Sequence, residues 1–194
     1  MAGIRCFIAV EVDDSDLVRE IGKIQQELLT SGAKLKLVEP QNLHFTLHFL
    51  GNIDEARIPE LTNIIEQAKG TAFDVDLNGV GCFRPQRPRV IWIGVTTGAD
   101  QLIEHQKFLG RELRAHGFPS EKREYSPHLT VLRVRSGLHR EELMQMVHKY
   151  ANKEFGKFLV RAIKLKRSTL TPKGPIYGDL AVKSLRKATN HDSP

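Results

Sequence analysis

The residues best suited to chemistry are two histidines in matching settings. The first lies in Asn42-Leu43-His44-Phe45-Thr46-Leu47-His48-Phe49-Leu50-Gly51, the second in Pro127-His128-Leu129-Thr130-Val131. Each reads His-x-Thr-x. Side chains alternate between the two faces of a strand. Phe45, Leu47 and Phe49 are therefore expected in a core, with His44, Thr46 and His48 as a polar row on the other face. Leu129 and Val131 are likewise expected inward, with His128 and Thr130 opposite. With eight histidines in the chain, a single His-x-Thr match means little, and two in strand-like segments mean more. Two imidazoles facing each other across a cleft could open a phosphodiester ring. One takes a proton from water and the other gives one to the leaving oxygen, and both can do so near neutral pH. Each threonine hydroxyl, on its histidine's face, could donate to a phosphate oxygen.

A metal reading competes. His44 and His48 are four apart, which on a helix would put two ligands on one face. The alternation of Phe45, Leu47 and Phe49 argues for a strand, and no carboxylate follows His44 where a zinc hydrolase keeps its base. No metal site and no cofactor is expected, and His48 is assigned to the cleft wall or the surface. Cys6 and Cys82 have no second cysteine or histidine at zinc-ligand spacing. Cys6, inside an apolar run, is expected in the core.

The elements that must position these residues follow from pattern. Ile4 to Val12 reads as a strand. Ser15 is placed as the cap of a helix reaching Leu29, with Leu17, Ile21, Ile24 and Leu28 at helical spacing. Leu35 to Val38 and Leu43 to Leu50 read as strands, with Gly51-Asn52 as a turn and Asp54 capping a helix through Ala68. Further strands are expected at Phe73 to Leu77, Val90 to Val95, His128 to Val134, Phe158 to Leu170 and Ile176 to Val182. Helices are expected at Leu102 to Leu113 and Glu141 to Tyr150. Mixed elements with cleanly alternating strands predict an α+β fold with antiparallel sheets.

Aligning His44 with His128 exposes a weak repeat. Each is followed by an apolar strand, a Gly turn, a helix and another strand, and Phe73 aligns with Phe155. The repeat predicts two pseudo-symmetric lobes, each an antiparallel sheet with outer helices, and the site in the cleft between them. Residues 1–183 are expected to form this single bilobal unit, and residues 184–194 a polar tail.

The chain carries a formal charge of +6, with 40% hydrophobic and 27% charged residues. The basic balance suits a polyanion such as RNA. No apolar run approaches a membrane span, and the start of the chain reaches acidic residues too soon for a secretory signal. A cytoplasmic monomer without membrane contact is expected.

These motifs resemble those of the 2H phosphoesterase superfamily, and most of all its RNA 2′,3′-cyclic phosphodiesterase branch, also called 2′-5′ RNA ligase. Arg5 to Val10, NLHFTLHFLG over 42–51, RPRVIWIGV within 83–95 and SPHLTVLR over 126–133 match it in order. The resemblance implies a bilobal fold. It makes His44 the proton donor to the leaving 3′ oxygen and His128 the base that activates water. The product it implies is a 2′-phosphomonoester, and reversal with a 5′-hydroxyl would give a 2′-5′ linkage. RNA ends, tRNA halves among them, would be the partners. It also implies an arginine on phosphate, matching Arg133. Strict alternation puts Arg133 on the wrong face, so a bulge or the strand's end must re-aim it, or Arg133 is a surface residue. Arg5 is a further phosphate-side candidate. Two rivals remain at this point: a phosphodiesterase for small cyclic nucleotides or ADP-ribose cyclic phosphate, and an RNA-binding module without turnover.

Overall fold

The computed structural model describes residues 3–120, 124–172 and 174–186. In chain order the elements are β1 (Ile4–Glu11), α1 (Ser15–Leu29), β2 (Leu35–Leu37), β3 (His44–Ile53), α2 (Ile58–Glu66), β4 (Phe73–Gly81), β5 (Val90–Val95), α3 (Ala99–Ala115), β6 (His128–Val134), α4 (Arg140–Lys149), β7 (Glu154–Val160), β8 (Ala162–Thr171) and β9 (Gly174–Ser184). They form two antiparallel sheets, ordered β3-β1-β8-β9 and β2-β6-β5-β4-β7. The expected α+β fold with two sheets is what forms.

The repeat is visible in the registers. β1 pairs with β3 through Glu11↔His44 and Ala9↔Thr46, and β5 pairs with β6 through Gly94↔His128 and Trp92↔Thr130. Each histidine is thus paired in the same way with its neighbouring strand, although β3 is the edge of its sheet and β6 has β2 outside it. Beyond them the lobes exchange parts. β4, which follows α2, crosses to the second sheet, and β8 crosses to the first. Helix α1 leaves β1 of the first sheet yet packs on the second. There the buried Gln25 donates from Nε2 to the carbonyls of Val38 and Val131, each at 2.8 Å. Helix α3 leaves β5 and packs on β3. Equating Phe73 with Phe155 is therefore wrong in space, because β4 is an inner strand and β7 an edge strand.

Other boundaries also move. Asp14, not Ser15, caps α1, accepting from the amides of Asp16 and Leu17. Asp54 caps a short 3-10 turn ahead of α2. Gly51 is not a turn. Strand β3 runs on to Ile53, with Gly51 at φ 72 opposite Cys6 beside a register shift, a conformation glycine adopts without steric cost. The run from Phe158 to Leu170 is two strands, broken at Arg161 where the chain changes sheets. Ser184 ends β9, Leu185 is buried and Arg186 bridges Thr71, although pattern assigned all three to the tail. One continuous apolar core joins both sheets and includes Cys6, Phe45, Leu47, Leu129, Val131 and Ile163. No helix among the described residues is long and apolar enough to cross a membrane.

Candidate active site

Strands β3 and β6 approach each other, although no ladder joins them. A cavity of about 1040 Å³ opens over them and is lined by His44, Thr46, His128, Thr130, Arg133 and Arg5 among others. All five residues taken from the motifs, and Arg5, therefore meet in one cleft.

The two imidazoles are held alike. His44 Nδ1 lies 2.7 Å from the Asn42 carbonyl, and His128 Nδ1 lies 2.8 Å from the Ser126 carbonyl, each acceptor two residues upstream. A carbonyl can only accept, so each Nδ1 carries the hydrogen and each neutral ring keeps a lone pair on Nε2. Aromatic rings fix the ring planes. Phe7 and Tyr177 stand 5.0 and 5.4 Å from His44, and Phe83 meets His128 edge-on at 4.8 Å with Trp92 behind it. None of these four aromatics was singled out from sequence, since an isolated aromatic carries no local signal of a catalytic neighbour.

Burial lowers the His44 imidazole from 6.5 to about 4. The Asn42 hydrogen bond opposes the change, and the positive charges of Lys166 and Arg133 reinforce it. Burial also lowers His128, against the Ser126 hydrogen bond. In the free protein both rings are thus neutral near pH 7. The buried Lys166 is held, with Lys164, by Glu11 and Asp179, and Glu11 is the residue paired with His44 across β1. Burial alone would raise the Glu11 carboxyl, but the two lysines outweigh it and hold it below its ordinary value.

Strict alternation fails in both histidine strands, at the same step. The register shifts between Ile8 and Ala9 leave Leu47 as an extra residue in β3, and the shift between Ile91 and Trp92 leaves Val131 extra in β6. Such a bulge reverses the facing of the residues after it, up to the next irregularity. In β6 it turns Arg133 onto the cleft side with His128, the outcome parity alone forbade. In β3 it overturns two expectations. His48 is not in the polar row but buried, with Nε2 2.7 Å from the Gln106 carbonyl on α3. Phe49 is not in the core but 62% exposed on the cleft wall. His48 therefore cannot join His44 in a metal site. Among the described residues no three His, Cys, Asp or Glu side chains converge as metal ligands.

Among the described residues, seven cationic side chains line the cleft, namely Arg5, Lys36, Arg84, Arg87, Arg89, Arg133 and Arg135, against two carboxylates, Glu39 and Glu124. The arrangement can seat a phosphate between two imidazoles and attract a polyanion to it. The Arg84-Pro85-Gln86-Arg87-Pro88-Arg89 run is the sequence signal that could have located the basic rim.

Comparison with known proteins agrees. Residues 6–180 match the family model described as AKAP7 2′5′ RNA ligase-like domain. An RNA 2′,3′-cyclic phosphodiesterase of Methanothermobacter thermautotrophicus is 38% identical over 92% of this chain and 97% of its own. One of Archaeoglobus fulgidus is 39% identical over 92% of this chain and 99% of its own. The crystal structure of TT0787 of Thermus thermophilus superposes with a TM-score of 0.77 at 25% identity, covering 95% of this chain and all (100%) of that one.

Proposed function

The chain belongs to the 2′-5′ RNA ligase-like family of 2H phosphoesterases, and from that premise we propose that it is an enzyme that hydrolyses RNA 2′,3′-cyclic phosphate ends to 2′-phosphomonoesters. The cyclic phosphate sits between β3 and β6, with Thr46, Thr130 and Arg133 on its oxygens. Water attacks phosphorus as one histidine takes its proton. The bond from phosphorus to the 3′ oxygen breaks, and that oxygen takes a proton from the other histidine. The family resemblance makes His44 the donor and His128 the base. Both rings are neutral in the free protein, so the donor acquires its proton with the substrate, whose negative charge favours the imidazolium. An RNA 5′-hydroxyl in place of water opens the ring by the same steps, leaving the phosphorus bonded to the 2′ and 5′ oxygens as a 2′-5′ linkage, and the 3′ oxygen again takes the proton. RNA ends of the kind left on tRNA halves are the substrates this reading predicts.

The observation that carries the proposal is the paired geometry: two histidines, each with Nδ1 on the carbonyl two residues back, lining one cleft. Mere RNA binding has no need of two imidazoles fixed in the same tautomer. The two rings supply both proton transfers, so the reaction is complete without a metal. The test is an assay of cyclic-phosphate RNA in EDTA, with the position of the product phosphate determined. Full turnover to a 2′-phosphate is expected. Loss of turnover in EDTA, restored by one particular metal, would refute the two-histidine chemistry.

A further inference from the structure

The two walls of the cleft are chemically unlike, although their strands are built alike. The bulges at Leu47 and Val131 turn equivalent residues toward the cleft. On the first lobe that residue is Phe49, and on the second it is Arg133. The difference extends outward. Beyond Phe49 the first wall carries Leu170, 66% exposed, and among the described residues Arg5 is the cation that this wall adds to the lining. Beyond Arg133 the second wall is basic. Lys36 on β2 stands directly across the ladder from Arg133. Arg135 continues that ladder, its amide donating to the Lys34 carbonyl at 2.8 Å. Arg89 lies beside them, its carbonyl accepting from Val134 at 2.9 Å.

Arg89, Arg133 and Arg135 make no salt bridge among the described residues, whereas Arg19, Arg57, Arg140 and Arg167 each do. Unpaired arginines gathered on one wall repel one another, and a polyanion relieves that repulsion. Residues two apart on a strand are about 6.7 Å apart. Arg133 and Arg135 can therefore take successive phosphates of an extended single strand.

We propose that the RNA 5′ of the cyclic phosphate leaves the site over the β2–β6 edge, with its phosphates on Lys36, Arg135 and Arg89. The enzyme is thereby selective for oligonucleotides over mononucleotides. The terminal nucleoside then faces the apolar wall, and Arg133 stays with the cyclic phosphate. The inference rests on the phosphodiesterase reading and adds to it a direction for the strand and a preference for length.

The test compares a tetranucleotide ending in a 2′,3′-cyclic phosphate with the corresponding nucleoside cyclic phosphate, by kcat/KM. It also measures binding of the two 2′-phosphate products by fluorescence anisotropy across salt. The wild type, Arg135→Gln, Arg89→Gln and the remote Arg19→Gln are compared. Three phosphate contacts along the track add about −2 to the slope of log K against log salt beyond what the terminal phosphate contributes, so between 50 and 200 mM salt tetranucleotide binding should weaken about 20-fold more than mononucleotide binding. Arg135→Gln and Arg89→Gln should each remove about 0.7 of that slope and shrink the preference for the tetranucleotide, while Arg19→Gln leaves both in place. Equal kcat/KM for the two wild-type substrates overturns the inference and leaves the phosphodiesterase reading standing. Identical behaviour of Arg135→Gln and Arg19→Gln also overturns it. Turnover of neither substrate overturns the phosphodiesterase reading, while salt-dependent tetranucleotide binding lost in Arg135→Gln would still support the track.

Discussion

Acidification should destabilise this protein through His44. The imidazole titrates near 6.5 in an unfolded chain, but burial holds it at about 4 in the folded one. As pH falls below 6.5 the unfolded chain binds a proton that the folded chain refuses. Stability contributed by the neutral ring is therefore complete above 6.5 and is lost as pH falls toward 4. At 1.36 kcal/mol per pH unit the full span is about 3 kcal/mol, of which about 2 kcal/mol is lost between pH 7 and pH 5. Stopping at pH 5 keeps clear of the Glu11 and Asp179 carboxyls, which the lysines hold below their ordinary values. His128 and His105 are lowered in the same direction and contribute too, so the His44 part must be isolated by difference. Urea unfolding should be followed at several pH values from 7 to 5 for the wild type and His44→Gln. The variant should lose about 2 kcal/mol less than the wild type over that range. Parallel stability curves would show that His44 is not held neutral by its surroundings, and the account of its environment would fail.

Three further outcomes are expected. His44→Ala and His128→Ala should each lower turnover about 10²–10⁴-fold while leaving folded protein by circular dichroism, and the double variant should lose far less than the product of the two; near-normal turnover in either single variant contradicts the paired mechanism. The pH profile of kcat/KM should be a bell centred below 6.5, because it reports the free enzyme, in which both rings are lowered; a centre above 7 would contradict it. Gly81→Ala would place a methyl 2.4 Å from the Trp92 ring, which backs Phe83 against His128. Overpacking there should destabilise by about 1–3 kcal/mol and lower kcat, and a variant with wild-type melting and kcat would show that the aromatic stack does not hold His128.

What the sequence revealed and what it hid have separate physical causes. Periodicity and the two His-x-Thr-x segments are local, and they located both histidines, both threonines and nearly every element. Exchange between the lobes is not local. Nothing in Phe73 to Gly81 states that this strand will lie in the other sheet, because an inner strand reads the same in either. Arg161, where one apparent strand becomes two, is flanked by Val160 and Ala162 and carries no turn residue. The aromatic braces Phe7, Tyr177 and Phe83 come from three distant segments and meet the histidines only when the sheets close. The helix cap failed for a smaller reason: Asp14, Ser15 and Asp16 are all plausible caps, and backbone geometry selects Asp14.

The bulges explain the remaining errors and tie them to function. A strict strand shows the cleft every second residue, which from His44 would offer Thr46 and His48, and from His128 would offer Thr130 and Leu132. One extra residue after each threonine changes the third position to Phe49 and Arg133. Without the bulge in β6, Leu132 would point into the cleft and Arg133 would be buried beneath the sheet, where an unpaired guanidinium is untenable. The arginine thus demands the irregularity that brings it to the cleft. In β3 the same irregularity directs His48 to the Gln106 carbonyl, against which its Nε2 lies, and leaves Phe49 at the cleft. The two lobes therefore share the device that aims the third side chain and differ in what is aimed. At that position β6 presents a cation and β3 an aromatic ring, so under the proposed phosphate track two similarly bulged strands would bind the substrate in one direction.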